Sequence, residues 1–86
     1  MLAQLIPIDE VLFVFEAWTL MVRSSFSELL QPETEVLLFD SSKNEIGKAK
    51  LNRVLPSKNP EISPIEITVI DKPNNLKDVK FVMSVN

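Results

Sequence analysis

Five of the chain's cations, Lys43, Lys48, Lys50, Arg53 and Lys58, fall between residues 43 and 58, where Glu45 is the lone acid. Residues 1–42 are the reverse, with Arg23 set against Asp9, Glu10, Glu16, Glu28, Glu33, Glu35 and Asp40. Lysines at alternate positions of a strand share a face, so Lys48 and Lys50, with Lys43, Arg53 and Lys58 close by, form a basic patch able to reach phosphates. No aromatic residue interleaves them, and the plainer expectation is a solvated strand face whose lysines discourage edge pairing. Glu16 is a lone carboxylate inside the apolar run Val11–Val22. A carboxylate in such a run is a candidate for acid–base work, but it has no partner carboxylate. A pairing with Arg23 or Arg53, or exposure at a strand edge, is the simpler expectation.

The residue types that most enzymes use are missing. The chain has no histidine, cysteine or tyrosine, and its single glycine, Gly47, rules out a glycine-rich phosphate loop. Triad and thiolate chemistry are thereby excluded, zinc chemistry has none of its usual ligands, and carboxylates, amines and hydroxyls remain. The expectation is a non-catalytic protein with no cofactor and no metal. A small carboxylate-based enzyme using Glu16 ranks third among the functional readings.

A third set of residues points to protein contact. Phe13, Phe15, Trp18 and Leu20 form a candidate interaction surface, since Trp and Phe are enriched at interfaces. Read as one strand, Val11–Val22 is apolar on both faces, and a chain of 86 residues has little with which to cover both. Self-association solves that problem, so a homodimer burying one face of this strand is expected.

These groups are positioned by short elements. The opening segment Leu2–Ile8 contains Pro7, which costs a ladder hydrogen bond and marks an edge strand. In Val11–Val22 the β-branched and aromatic residues favour a strand, with a helix capped by Asp9 as the alternative. Ser25-Phe26-Ser27-Glu28 has capping-box spacing, which predicts a helical turn near residues 25–31 before Pro32 stops it. Glu35–Asp40, the polar turn Ser41–Asn44 and Glu45–Leu55 read as a hairpin, with Arg53 an exception on its apolar face. Gly47 inside a strand predicts a bulge or a close backbone approach. The proline-rich stretch Pro56–Pro64 reads as a loop, Ile65–Val69 as a strand and Asp71–Asn75 as a turn. Val79, Phe81, Met83 and Val85 then alternate with Lys80, Val82 and Ser84 as a last strand. The expected fold is all-β (mainly β): one small domain over residues 1–86, a five- to six-stranded antiparallel barrel or sandwich.

Leu29–Val54, with Pro32, Glu35-Val-Leu-Leu-Phe, Ile46-Gly47-Lys48-Ala49-Lys50 and Val54, resembles the small β-barrel domain, domain 2, that follows the G domain in translational GTPases. Ile65–Asp71 and Asp78-Val79 resemble that family's closing strands. The sequence departs from the family between Trp18 and Ser27, where no glycine-rich turn occurs. Through the same hairpin it resembles the RNA-associated barrels of the PUA and ASCH type. Either resemblance implies contact with RNA or a ribonucleoprotein, without assigning a functional residue.

The longest apolar stretch is well short of the roughly 20 residues that span a bilayer. Met1-Leu2-Ala3-Gln4 carries no basic side chain and so lacks the layout of a signal peptide, giving the expectation of a cytoplasmic protein without membrane contact. The leading functional expectation is an interaction module for a protein partner or itself. An RNA-binding barrel using the basic hairpin is second.

Overall fold

The structure, a computed structural model, describes residues 4–85. Its seven strands are β1 (Ile6–Pro7), β2 (Glu10–Val14), β3 (Ala17–Arg23), β4 (Glu35–Phe39), β5 (Glu45–Val54), β6 (Ile62–Asp71) and β7 (Phe81–Val85). They form one antiparallel sheet in the order β1-β7-β4-β5-β6-β3-β2. One helical turn, α1 (Ser24–Ser27), and a 3-10 turn over Leu76–Asp78 complete the secondary structure. The fold is mainly β, as the alternation and turn residues lead one to expect.

The two ends of the sheet, β1 and β2, are consecutive in the chain and parted only by Ile8 and Asp9. The Ile8 N–H donates to the Lys80 carbonyl at 2.8 Å, next to β7, and the Asp9 N–H donates to the Met21 carbonyl of β3 at 2.9 Å. Glu10 is also in register with Met21, so two residues face one and the chain bends there. The sheet thus coils until one N-terminal segment borders both its ends, first beside β7 and then beside β3. β1 and β2 do not pair with each other, so the ladder stays open. Pro7 sits in the edge strand β1, where its missing N–H costs little; Leu2 and Ala3 lie outside the described residues.

The inside of the coil is the core. Leu20 lies between its register partners Val11 and Ile65, and Leu38 between Gly47 and Val82. With Ile6, Val22, Leu30, Val36, Ala49, Leu51, Ile67, Leu76 and Val79 they make one buried cluster. Each large aliphatic side chain so buried stabilises the fold by about 1.5–3 kcal/mol. Gly47 is where β5 meets the chain leaving β6. A Cβ on it would lie 2.5 Å from the Asp71 carbonyl oxygen and 3.0 Å from Pro73 Cδ, which is the close backbone approach expected of this glycine.

Val11–Val22 is neither one strand nor a helix; it is most of the hairpin β2–β3, turning at Phe15 and Glu16. This accounts for seven strands where five or six were expected. Both turn residues have left-handed backbones, φ 50° and 63°, as in the tight turns that match strand twist. Such turns favour Asn and Gly, so Phe-Glu gave no turn signal. The helical turn covers Ser24–Ser27 rather than 25–31, and no side chain caps it. The N-cap position falls at Arg23 and Ser25 lies inside the turn, so the Ser25–Glu28 capping box does not form; the Ser24 hydroxyl donates to the Pro60 carbonyl and the Ser27 hydroxyl to the Ser24 carbonyl. The proline-rich loop ends earlier than expected, because Ile62, Ser63 and Pro64 belong to β6, Pro64 opposite Met21.

One register slip and one late strand start set side chains on faces that plain alternation does not give. Between Leu51 and Arg53 the ladder skips Asn52, so Arg53, which strict alternation sets on the inner face with Leu51, stands opposite Glu66 on the outer face. At the chain's end Val79 is buried beside the 3-10 turn, before the strand begins. Within β7 the buried residue is Val82, so the apolar set Phe81, Met83 and Val85 faces out.

Candidate interaction surfaces

The β2–β3 hairpin is held on one side by β6 and on the other by the turn over Leu76–Asp78. Lys77 extends its ammonium to the Val11 carbonyl at 2.7 Å, covering part of the free edge of β2. Beyond that anchor the hairpin carries aromatic residues into solvent. Phe13 is 58% exposed and Phe15 96% exposed. Trp18, in register with Phe13, packs edge-on against it with ring centroids 5.0 Å apart and rests on the core. Ile70, exposed by a register slip near the end of β6, adds an apolar side chain that the alternation of its strand did not reveal. Three of the four residues expected on an interaction surface, Phe13, Phe15 and Trp18, are brought together here. Leu20 is not among them, since it is fully buried between Val11 and Ile65 and belongs to the core.

Glu16 shares the exposed turn with Phe15. It pairs with neither Arg23, whose guanidinium meets Asp9 at 3.1 Å, nor Arg53, which lies 3.6 Å from Glu66. It is not a carboxylate inside an apolar run, because the run turns at that residue. The acid–base reading of Glu16 loses its burial, and no second carboxylate stands with it in a metal-binding group among the described residues.

The basic hairpin exists, but its cations are separated. Lys48 and Lys50 share the outer face of β5. Lys48 reaches Glu35 at 2.8 Å, and that hydrogen-bonded carboxylate holds its ammonium above the ordinary lysine range. Lys50 lies in register with Glu35, Arg53 is drawn to Glu66, and Lys58 stands in the exposed loop. Lys43, in the β4–β5 turn with φ 66°, places its ammonium 5.8 Å from the centroid of the Phe81 ring.

That contact exposes a surface that alternation alone does not reveal. Phe81 is paired with Phe39 and with Pro7, and Met83 with Leu37, all on the outer side of the sheet. Strands β4 and β7 are therefore apolar on both faces, the pattern of a strand covered on both sides. The runs Val-Leu-Leu-Phe and Phe-Val-Met carried this signal, since each is apolar at odd and even positions alike.

A polar cleft of about 370 Å³, lined by Asp40, Ile46, Lys72, Pro73, Asn74 and Asp78, opens near the β4–β5 turn. The Asp40 carboxylate there accepts from the backbone N–H groups of Ser42 and Asn44, a turn-stabilising use. No helix among the described residues is long and apolar enough to cross a membrane. Compared with protein-family models, with curated proteins and with solved structures, the chain has no match.

Proposed function

We propose that this chain is a non-catalytic docking module that binds protein through the tip of the β2–β3 hairpin. The observation that carries the reading is Phe15, 96% exposed on a backbone turn that disfavours it. A left-handed conformation costs a non-glycine residue about 1–2 kcal/mol, and a phenylalanine kept in water forgoes about 1.5–3 kcal/mol of burial. Both costs fall on a residue that makes little contact within its own fold. A ring placed in a partner's pocket recovers the burial, and backbone strain of this kind concentrates at functional sites. Phe13 and Trp18, packed edge-on against each other in the strands next to the turn, add aromatic surface of the kind that anchors interfaces.

A second reading, an RNA-binding barrel of the kind its sequence resembles, is favoured by Lys43 over Phe81 with Phe39 beside it. Cations around aromatic rings on a sheet face suit the stacking of single-stranded bases. It ranks second because Lys48 and Arg53 are already engaged by Glu35 and Glu66.

The test is capture from native lysate by tagged wild-type protein and by Phe15→Asn, each divided into nuclease-treated and untreated halves. Proteins retained after nuclease by the wild type and lost by the variant support docking through the tip. Identical protein sets for both chains refute it. Partners lost on nuclease treatment and retained by Phe15→Asn move the function to the β4–β7 face.

A further inference from the structure

We infer that one occupant of the hairpin tip is a second copy of this chain, docked head to tail, with the Phe15 tip of one copy seated on the outer face of β4 and β7 of the next. This inference rests on the hairpin being a docking element. An antiparallel sheet that faces water alternates apolar inside with polar outside. β7 instead presents Phe81, Met83 and Val85 outward, and β4 presents Leu37 and Phe39. Among the described residues Leu37, Phe39, Phe81 and Met83 are half-buried and Val85 is 41% exposed, so together they form a broad apolar face on which an exposed ring could lie flat.

Charge decides which surfaces meet. At the tip of the hairpin the charged side chain is Glu16, beside Phe15 in the turn, while the hairpin's cations lie away from the tip, Arg23 paired with Asp9 at the base and Lys77 on the Val11 carbonyl. The β4–β7 face is bordered by Lys43, Lys48 and Lys50 against Glu35 and Glu45. Lys48 is held by Glu35, whereas Lys43 and Lys50 form no ion pair among the described residues. Two tips meeting on a two-fold axis bring Glu16 against its own copy, and two lysine-bordered faces repel in the same way. Unlike surfaces meet with attraction, so the contact is heterologous, and repetition of it builds chains or rings rather than a closed dimer. A ring and its neighbours on a face of this size fall below the roughly 800 Å² per partner of a standard stable interface. The association is therefore weak, dependent on concentration and weakened by salt.

Sedimentation velocity of the purified chain across a wide concentration range, at low and at high salt, tests this. The wild type is expected to form species larger than a dimer as concentration rises, and to lose them in high salt. Phe15→Asn, which removes the knob, and Met83→Glu, which spoils the receiving face, should each be monomeric. Circular dichroism confirms that each is folded, and Lys43→Asn is a second face variant suited to its left-handed backbone. An equimolar mixture of Phe15→Asn and Met83→Glu retains one good knob and one good face, so it should form dimers and stop there. A wild type that stays monomeric throughout overturns self-docking, as does a mixture that stays monomeric while the wild type associates. If the wild type is monomeric yet Phe15→Asn loses protein partners from lysate, self-docking falls and the docking module stands. Unchanged capture by Phe15→Asn removes both.

Discussion

Thr19 faces away from Leu20, between its register partners Leu12 and Glu66, and is only 2% exposed. Its hydroxyl has no hydrogen-bond partner among the described residues, and a buried hydroxyl left unpaired costs about 1–3 kcal/mol. Thr19→Val keeps the shape and the β-branch while removing the oxygen. Chemical denaturation should therefore find the variant as stable as the parent or more stable, by up to about 1–2 kcal/mol; a clear loss would mean that the oxygen has a partner. Gly47 is the opposite case, a position where one added carbon does harm. A Cβ 2.5 Å from the Asp71 carbonyl meets backbone, which cannot swing aside as a side chain can. Gly47→Ala should cost about 1–3 kcal/mol, read from the same denaturation curves. Lys48 adds a pH effect whose sign is fixed by Glu35. Its ammonium is favoured in the folded chain, so its contribution is fully present below the ordinary lysine pKa and is lost as pH rises through the raised value. Glu35→Gln should bring the Lys48 titration, followed by NMR, back down towards the ordinary range.

The β2–β3 turn is the element whose sequence and structure agree least. Phe15-Glu16 occupies two left-handed positions that Asn-Gly fills readily. Phe15→Asn with Glu16→Gly should stabilise the fold by about 1–2 kcal/mol, raising Tm by roughly 4–8 °C for each kcal/mol in a domain of this size. The same change should abolish binding through the tip. A loss of stability would show that the aromatic residue serves the fold rather than a partner. The mismatch also explains what could be read beforehand. The hairpin β4–β5 was legible because Ser41–Asn44 is a conventional polar turn between alternating arms, and Asp40 closes it by accepting from two backbone N–H groups. Lysines 48 and 50 were legible as a shared face for the same reason. The turn at Phe15 was hidden by residues chosen against its backbone, so a hairpin read as one strand and Glu16 read as a buried acid. The slip at Asn52 and the late start of β7 at Phe81 escaped notice because a period of two carries no record of a skipped residue. Alternation along β7 does not say which of its two sets faces out, so the outer apolar surface could not be anticipated from it.

At the scale of the molecule, stability depends on one short joint. Ile8 and Asp9 connect β1 to β2, so the segment that begins beside β7 ends beside β3 and borders both ends of the sheet. Ile6 and Ile8 are buried in the core on one side of this joint and Val11 on the other. Lengthening the joint loosens both ends at once, whereas lengthening the loop before β6 disturbs only an exposed connection. A Gly-Ser pair inserted between Pro56 and Ser57 should cost less than about 1 kcal/mol, because closure entropy grows slowly with loop length. The same pair between Ile8 and Asp9 displaces two backbone hydrogen bonds, worth about 1 kcal/mol each, and pulls Ile8 from its packing. Removing most of a buried isoleucine costs about 2–5 kcal/mol. The sum is a large part of the 5–15 kcal/mol that holds a typical domain folded. Denaturation of the two insertion variants side by side should show the joint variant far less stable and prone to aggregate, since it frees the apolar edge strand β7. Equal losses in the two variants would mean that the ends of the sheet are held independently, and that the N-terminal segment is an ornament on an open sheet rather than the piece that draws it into a coil.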